Sequence, residues 1–136
     1  MKTASIVYTG QLRTSAVHLR SGTTIITDAP PDNNGKGEAF SPTDLLATSL
    51  GCCMMTIMGI VAERHQFDLS GTRIDITKEM GSGPRRVIGI VVEFTMPPGN
   101  FTAKDRELLE HAAHTCPVAF SLHPDIKQQV SFNWND

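Results

Sequence analysis

The sequence predicts an α+β protein in which mostly antiparallel sheet accompanies a long central helix. Three observations lead to this prediction: short β-branched segments, a long uncharged stretch between them, and turn residues at the boundaries. The predicted order is three strands, a helix, two strands, two helices and a final strand, which is typical of α+β proteins. We expect residues 1–136 to form a single domain.

Three strands are predicted at the start of the chain. Two of them lie within residues 4–19 and form a hairpin, because Thr9-Gly10 interrupts their apolar pattern. Residues 23–27 are rich in Thr and Ile, and this β-branched segment is the third strand. A loop over residues 28–40 follows, rich in Pro, Asn and Gly, and its length is that of a functional loop.

The long helix begins at Ser41, which suits the N-cap, while Pro42 suits the first helical position and Asp44 complements the positive helix end. We expect the helix to extend to about His65. No residue from 45 to 62 is charged, but polar and glycine residues dilute the stretch, so we do not expect a membrane span. A helix that is apolar all round is usually buried all round. One layer of sheet covers one face, so a second subunit is expected to cover the other.

The remaining elements follow from alternation, turn residues and caps. Gly and Pro in residues 81–84 join two strands as a hairpin, and Thr102 caps the next helix. The predicted elements are strands 72–79 and 86–96, helix 103–115, a short helix starting at Cys116, and strand 127–134.

The amino-acid composition argues against several classes of protein. With 40% hydrophobic and 19% charged residues the chain is not intrinsically disordered. The net charge is −2 and no Lys/Arg cluster is visible, so a nucleic-acid partner is not expected. Three cysteines are too few for a disulfide scaffold and indicate free thiols in a reducing compartment. The first residues do not resemble a signal peptide, and we expect a cytoplasmic protein.

The cysteines are the first candidates for chemistry. Cys52 and Cys53 lie in the long helix, and Cys116 precedes Pro117. A free cysteine is often only a small buried hydrophobe, so packing roles are the alternative. At a helix start, however, free N–H groups and the helix dipole favour a thiolate, which predicts a lowered pKa for Cys116. Neighbouring helix residues point about 100° apart, so only one of Cys52 and Cys53 can face Cys116 well.

Metal and cofactor sites are not expected. His111, His114 and Cys116 have a spacing that could suggest a metal, but a fourth ligand and a second Cys pair are missing from the sequence. The two histidines are interpreted as solvated helix residues. The glycines at 35 and 37 do not follow a strand with the spacing of a phosphate-binding loop.

Two short motifs carry a family resemblance. One is the stretch over residues 35–53, GKGEAFSPTDLLATSLGCC, and the other is Cys116-Pro117-Val118. Together they resemble the OsmC/Ohr family of osmotically induced proteins and organic hydroperoxide resistance proteins. The resemblance covers nearly the whole chain. It implies an OsmC-like fold, an intertwined homodimer, and a thiol peroxidase site at the dimer interface.

The resemblance also implies roles for the cysteines. The family's first cysteine follows the proline of its motif by eleven positions, and counting from Pro42 gives Cys53. Cys53 is therefore the expected peroxidatic residue, and Cys116 matches the resolving cysteine. Cys52 falls where the family has a small residue, which implies a packing role.

A peroxidatic cysteine must be ionised, and an unperturbed thiol, with a pKa near 8.5, is mostly neutral at pH 7. Cys53 lies about three turns into its helix, too deep for the helix dipole to stabilise a thiolate, so a cation is needed. In the hydroperoxide reductases an arginine from the early strands serves this purpose. Arg13 is the nearest match here and Arg20 is the reserve; an ordinary exposed strand residue is the alternative reading of Arg13.

The family holds this arginine with a glutamate directly after the motif's proline. Thr43 occupies that position in this chain. Glu38, in the preceding loop, or Asp44 could substitute for it.

The resemblance implies a thiol-dependent peroxidase that reduces organic hydroperoxides. The expected intermediates are a sulfenic acid on Cys53 and a Cys53–Cys116 disulfide, which a small-molecule or protein dithiol would reduce. One alternative is a redox-sensing or small-molecule-binding module without efficient turnover. Another is a structural dimer in which the cysteines only pack.

Overall fold

The structure is a computed structural model that describes residues 1–135. The order of its strands and α-helices is the predicted one, and the α+β fold class is confirmed. A short 3₁₀ helix, Pro31–Asn33, lies in the predicted loop and was not foreseen. The elements are β1 (Ala4–Gly10), β2 (Arg13–His18), β3 (Thr24–Asp28), α1 (Pro42–Arg64), β4 (Arg73–Gly81), β5 (Arg86–Met96), α2 (Ala103–Ala113), α3 (Pro117–Ser121) and β6 (Lys127–Trp134).

The chain forms two compact units, and the first is Met1–Leu46. Its three strands pair in the order β1-β2-β3, and both pairings are antiparallel. The turn between β1 and β2 contains three successive residues in the left-handed region, with φ of 93° at Gly10, 54° at Gln11 and 62° at Leu12. The β2–β3 register places Arg13 directly opposite Asp28.

The loop after β3 is closed onto the end of that strand by backbone hydrogen bonds. The Asp28 N–H donates to the Phe40 carbonyl at 3.1 Å, and the Gly37 N–H donates to the Ala29 carbonyl at 3.1 Å. Gly35 packs so closely on Ala29 that a Cβ at this position would overlap the Ala29 backbone. The loop is therefore an ordered part of the first unit, and it presents Glu38 to the end of the sheet.

The second unit begins at Ala47 and contains the other sheet, with the strand order β4-β5-β6. β4 and β5 form the predicted antiparallel hairpin, whereas β5 and β6 are parallel. The sequence did not predict this parallel pairing. A parallel pair needs a long crossover, and α2 with α3 supplies it between β5 and β6. Phe94 and Phe132 lie opposite each other on the two strands and their rings stack at 4.7 Å.

One face of α1 forms the centre of the core. Its buried residues recur every three or four positions, which is the period of a helix face: Ala47, Leu50, Gly51, Met54, Met58 and Ala62. All of them except Gly51 belong to one buried cluster with side chains of β5 and α2. The opposite side of the helix remains open in the single chain, where Leu46, Cys52 and Ile60 are exposed.

By length and composition alone, α1 is apolar enough to cross a membrane. A core helix of a soluble protein passes the same test, and Leu50, Met54 and Met58 are fully buried against the rest of the second unit. One face of α1 is therefore packed in the core of the second unit, as the helical period of its buried residues requires of a helix with a single buried face.

Replacement of Leu50 by alanine tests this packing. Leu50 is 0% exposed, whereas Leu46, one turn earlier on the same helix, is 40% exposed. We expect Leu50→Ala to lower the free energy of unfolding by about 2–5 kcal/mol, because a cavity is left in the core. Leu46→Ala is the matched control and should cost less than about 1 kcal/mol. Equal losses in chemical denaturation would contradict the assignment of the buried face.

Candidate active site

The structure places Cys53 beside Cys116. Cys116 is completely buried at the start of α3, and Cys53 on α1 is partly buried. The two thiols interact closely enough for Cys53 to raise the pKa of Cys116. Cys52 is exposed, and all three cysteines are free thiols. The neighbouring positions 52 and 53 thus differ in surroundings, as their angular separation on the helix requires.

The N-cap position of Cys116 does not produce the lowered pKa that the sequence predicted. Its sulfur does accept the Ala119 N–H at 3.3 Å, and this contact favours the thiolate. Burial is the larger influence and raises the pKa, and Cys53 raises it further. The prediction is wrong because desolvation of a buried thiolate costs more than the N–H groups of Ala119 and Val118 return. Cys116 is therefore a protonated thiol at neutral pH.

A second polar cluster lies in the first unit and is centred on Arg13. Its Nε donates to Asp28 Oδ1 at 2.7 Å and its Nη2 donates to Asp28 Oδ2 at 2.8 Å, forming a bidentate ion pair. The same Nη2 donates to Glu38 Oε1 at 3.0 Å. Arg13 and Glu38, both proposed from the sequence, are thus brought together. Asp28 is a member of this cluster that sequence reasoning missed.

The two carboxylates that contact Arg13 differ in their exposure to solvent. The Asp28 side chain is 1% exposed and the Glu38 side chain is 65% exposed. The Arg13 guanidinium holds the pKa of Asp28 below its usual range, and the Glu38 N–H and the charge of Lys36 act in the same direction. The ion pairs in turn raise the pKa of Arg13. Arg13 therefore remains charged, and Asp28 remains ionised at neutral pH.

The hairpin register is the signal that could have identified Asp28. Arg13 starts β2 and Asp28 ends β3, and residues opposite each other in an antiparallel pair have Cβ atoms about 4.5–5.5 Å apart. The sequence analysis placed Asp28 at the start of the predicted loop, just after the third strand, and the strand register depends on the intervening turn. The sequence therefore could not pair them without the turn geometry.

The other candidates have different surroundings. Asp44 and Ser41 form a reciprocal cap at the start of α1, because the Ser41 N–H donates to Asp44 Oδ2 at 2.9 Å and the Asp44 N–H donates to Ser41 Oγ at 3.1 Å. Thr43, at the family's glutamate position, lies 3.2 Å from Ser41 through its hydroxyl. Arg20 is exposed in the turn between β2 and β3. Glu38, rather than Asp44, contacts Arg13.

Within residues 1–135, no group of three or more His, Cys, Asp or Glu side chains is arranged to hold a metal ion. His114 contacts the edge of the Phe132 ring, with centroids 6.4 Å apart.

The pH dependence of stability should reveal the Asp28 carboxylate. Its pKa is lowered on folding, so ionised Asp28 stabilises the fold above the ordinary aspartate pKa of about 3.9, and this contribution is lost as pH falls through the lowered pKa. The melting temperature of the wild type should therefore fall more steeply as the pH is lowered than the melting temperature of Asp28→Asn. Asp75→Asn, which removes an exposed partner of Arg73, should keep the wild-type profile. Parallel wild-type and Asp28→Asn profiles would contradict this assignment.

Comparisons with known proteins identify the family. The family model described as OsmC-like protein matches residues 35–131. A solved structure from Psychrobacter arcticus 273-4, named as a candidate osmotic stress induced and detoxification response protein, is 51% identical; the match covers 98% of this chain and 96% of that chain, with a TM-score of 0.94.

Two more distant structures share the fold. An organic hydroperoxide resistance protein OsmC from Legionella pneumophila is 16% identical, with 98% of each chain covered and a TM-score of 0.74. An organic hydroperoxide resistance protein from Elizabethkingia anophelis is also 16% identical, with 99% of this chain and 98% of that chain covered and a TM-score of 0.74. No curated protein matches the chain. The matched residues and the 51% identical structure show that the chain belongs to the OsmC-like family.

Proposed function

We propose that this protein is a thiol-dependent peroxidase that reduces organic hydroperoxides through Cys53 and Cys116. The observation that carries the proposal is the contact between the partly buried Cys53 thiol and the buried Cys116 thiol. Membership of the OsmC-like family supports a role in redox or peroxide stress. The Legionella pneumophila protein of the same fold is named as an organic hydroperoxide resistance protein and a regulator of sulfide bond formation.

In the first step, the Cys53 thiolate attacks the outer oxygen of the hydroperoxide. An S–O bond forms and the O–O bond breaks, so the sulfur is oxidised to a sulfenic acid. The leaving alkoxide takes up a proton and departs as an alcohol. Partial exposure of Cys53 gives the peroxide access to the sulfur.

In the second step, Cys116 condenses with the sulfenic acid. The S–S bond forms, the S–O bond of Cys53 breaks, and the hydroxyl leaves as water with the thiol proton of Cys116. Complete burial and the raised pKa of Cys116 support this order of events, because they keep Cys116 protonated and away from free peroxide. A dithiol then reduces the disulfide by exchange. We place the protein in the cytoplasm, where such reductants are maintained.

The proposal assigns Arg13 the role of the cation that favours the Cys53 thiolate, and Glu38 a role in holding it. Its support is the family resemblance and the double contact of Arg13 with carboxylates, which fixes the guanidinium in one orientation. A fixed positive charge is what an otherwise neutral thiol requires at pH 7.

Three serine variants test the assignment. Cys53→Ser should abolish hydroperoxide consumption with a dithiol reductant, because the nucleophile is missing. Cys116→Ser should leave one turnover and a sulfenic acid on Cys53 that a dimedone-type reagent can trap. Cys52→Ser is the matched control and should keep the wild-type rate. Peptide mapping of the oxidised wild type should give a Cys53–Cys116 disulfide.

Two results would overturn the assignment. One is a Cys52–Cys116 linkage, which would exchange the roles of the neighbouring cysteines. The other is a sulfenic acid trapped on Cys116 in Cys53→Ser at an undiminished rate. A protein that forms the disulfide but does not turn over would instead act as a redox sensor.

We also propose that the protein is a homodimer. On β1, Ile6 and Tyr8 point to one side of the sheet and Val7 points to the other, yet their exposures are 67%, 63% and 62%. On α1, Ile60 is 43% exposed on the open side of the helix. Apolar side chains that one chain leaves uncovered to this extent are typical of a protein interface.

Sedimentation at micromolar concentration should give the mass of two chains. Ile6→Lys places a charge in the proposed interface and should shift the protein toward monomer or aggregate. Lys78→Gln changes the charge of a residue on β4 and is the control. A monomeric wild type would contradict the homodimer.

A further inference from the structure

We propose that Cys53 and Cys116 form a binding site for trivalent organoarsenicals, compounds in which arsenic is bonded to one carbon and to exchangeable oxygen. The site uses the same two thiols as the proposed peroxidase, but it requires neither peroxide nor turnover. Both cysteines lie in the second unit, which begins at Ala47, and both belong to or pack on its buried cluster. The inference therefore depends only on the placement of two sulfurs within that unit.

The first argument is the contact between the two thiols. Cys53 lies within α1 and Cys116 caps α3, yet their side chains are hydrogen-bonding partners. All three cysteines are free, so both sulfurs are available to form new bonds. Sulfur is a soft donor that selects soft, polarisable elements, and trivalent arsenic is an element of this kind. A pair of neighbouring thiols is therefore a natural ligand set for it.

The second argument is that folding fixes both sulfurs before a ligand arrives. Cys116 is completely buried, and its sulfur accepts the Ala119 N–H at 3.3 Å. Cys53 packs against the same cluster, and its neighbours Leu50 and Met54 on α1 are fully buried. Donors that are already held in place lose little conformational freedom on binding. Once the first As–S bond has formed, the second thiol is therefore present at a high effective concentration.

The number of converging sulfurs selects the class of ligand. Cys52 is adjacent to Cys53 in sequence, but neighbouring helix residues point about 100° apart, and Cys52 is exposed. Structural zinc sites almost always use four protein ligands. In the part of the chain described, residues 1–135, no His, Cys, Asp or Glu group of three or more is arranged to hold a metal ion. An arsenic atom that already carries one carbon needs only two sulfurs to complete its three bonds.

The binding reaction is a condensation in which neither arsenic nor sulfur changes its oxidation state. With phenylarsine oxide, two As–S bonds form and the bonding between arsenic and oxygen breaks. The oxygen leaves as water together with the two thiol protons. Burial raises the pKa of Cys116, so this thiol retains at neutral pH the proton that the reaction removes as water. Cys53 is partly exposed and reacts first, which brings the arsenic to the enclosed Cys116.

Binding of phenylarsine oxide to the fully reduced protein is the primary measurement. We expect intact mass spectrometry to show one phenylarsenic group per chain in place of two hydrogens. A monothiol should leave the complex intact, whereas dimercaptopropanol should remove the arsenic, because a dithiol replaces both As–S bonds within one molecule. Iodoacetamide should label Cys52 in the folded complex and should no longer label Cys53. Labelling of Cys53 at the rate of the free protein would overturn the inference.

Alanine variants identify the two donors without introducing an unpaired hydroxyl into the core. Cys53→Ala and Cys116→Ala should each weaken binding by about 10²- to 10⁴-fold, which is the advantage that a second linked contact provides. Cys52→Ala, at the adjacent position of the same helix, is the matched control and should keep the wild-type affinity. If Cys116→Ala does not fold, Cys116→Val provides the test.

The sequential pair Cys52 and Cys53 is the alternative pair of donors. Loss of binding in Cys52→Ala, with wild-type affinity in Cys116→Ala, would assign the arsenic to this pair and overturn the inference. Wild-type affinity in both Cys53→Ala and Cys116→Ala would also overturn it.

Competition between ligands tests the number of donors. Phenylarsine oxide should bind more tightly than arsenite, whose arsenic has no carbon substituent and needs a third donor. Equimolar Zn²⁺ should not displace it, because two sulfurs provide half of the usual zinc ligands. Tighter binding of arsenite, or displacement by Zn²⁺, would reveal a further donor and contradict a site of two sulfurs.

The outcomes also distinguish this inference from the proposed function. A wild type that binds phenylarsine oxide through Cys53 and Cys116 but consumes no hydroperoxide would refute the peroxidase and retain the arsenical site. An active wild type that binds no arsenical, or binds it through Cys52, would refute the arsenical site alone.

Discussion

One face of α1 carries side chains that are fully buried, and both the core and the thiol pair depend on where that face points. Leu50, Met54 and Met58 pack into the cluster formed with β5 and α2. This packing fixes the rotation of the helix about its axis. With the rotation fixed, Cys53 lies beside Cys116 and Cys52 is exposed, because the two neighbours differ by about 100°. The hydrophobic effect thus selects which of two adjacent thiols can take part in a disulfide.

Burial favours the neutral form of both of the most deeply enclosed polar groups, yet their contacts leave them in different charge states. The backbone N–H groups of Ala119 and Val118 favour the Cys116 thiolate, but the cost of desolvation dominates and its pKa is raised. Asp28 is equally enclosed but contacts a guanidinium with both oxygens, so the ion pair dominates and its pKa is lowered. Loss of water therefore keeps Cys116 protonated, whereas the contact with Arg13 keeps Asp28 ionised against the same cost. The protonated thiol suits the part proposed for Cys116, which supplies a proton when the disulfide forms, and the Asp28 anion holds the Arg13 guanidinium with two hydrogen bonds.

The local elements of this fold could be predicted from short segments of sequence. Ser41, Pro42 and Asp44 begin α1 as their capping preferences require, and Thr102 caps α2 with Asp105 in return. These predictions succeeded because caps, alternation and turns involve residues within a few positions of one another. The end of α2 at Ala113, two residues before the predicted end, is the usual scale of error at a helix terminus.

The order of strands and helices, the uncharged helix and the spacing of its cysteines could be predicted from sequence, since each depends on neighbours along the chain. Three results required the folded chain: β5 and β6 are parallel, Asp28 lies opposite Arg13, and burial outweighs the N-cap at Cys116. These three outcomes depend on segments distant in sequence. Pairing direction follows from the crossover path, register from the turn, and desolvation from what other elements place around a group. A single stretch of sequence contains none of this information, because each result is a sum over contacts that form only when the chain is folded.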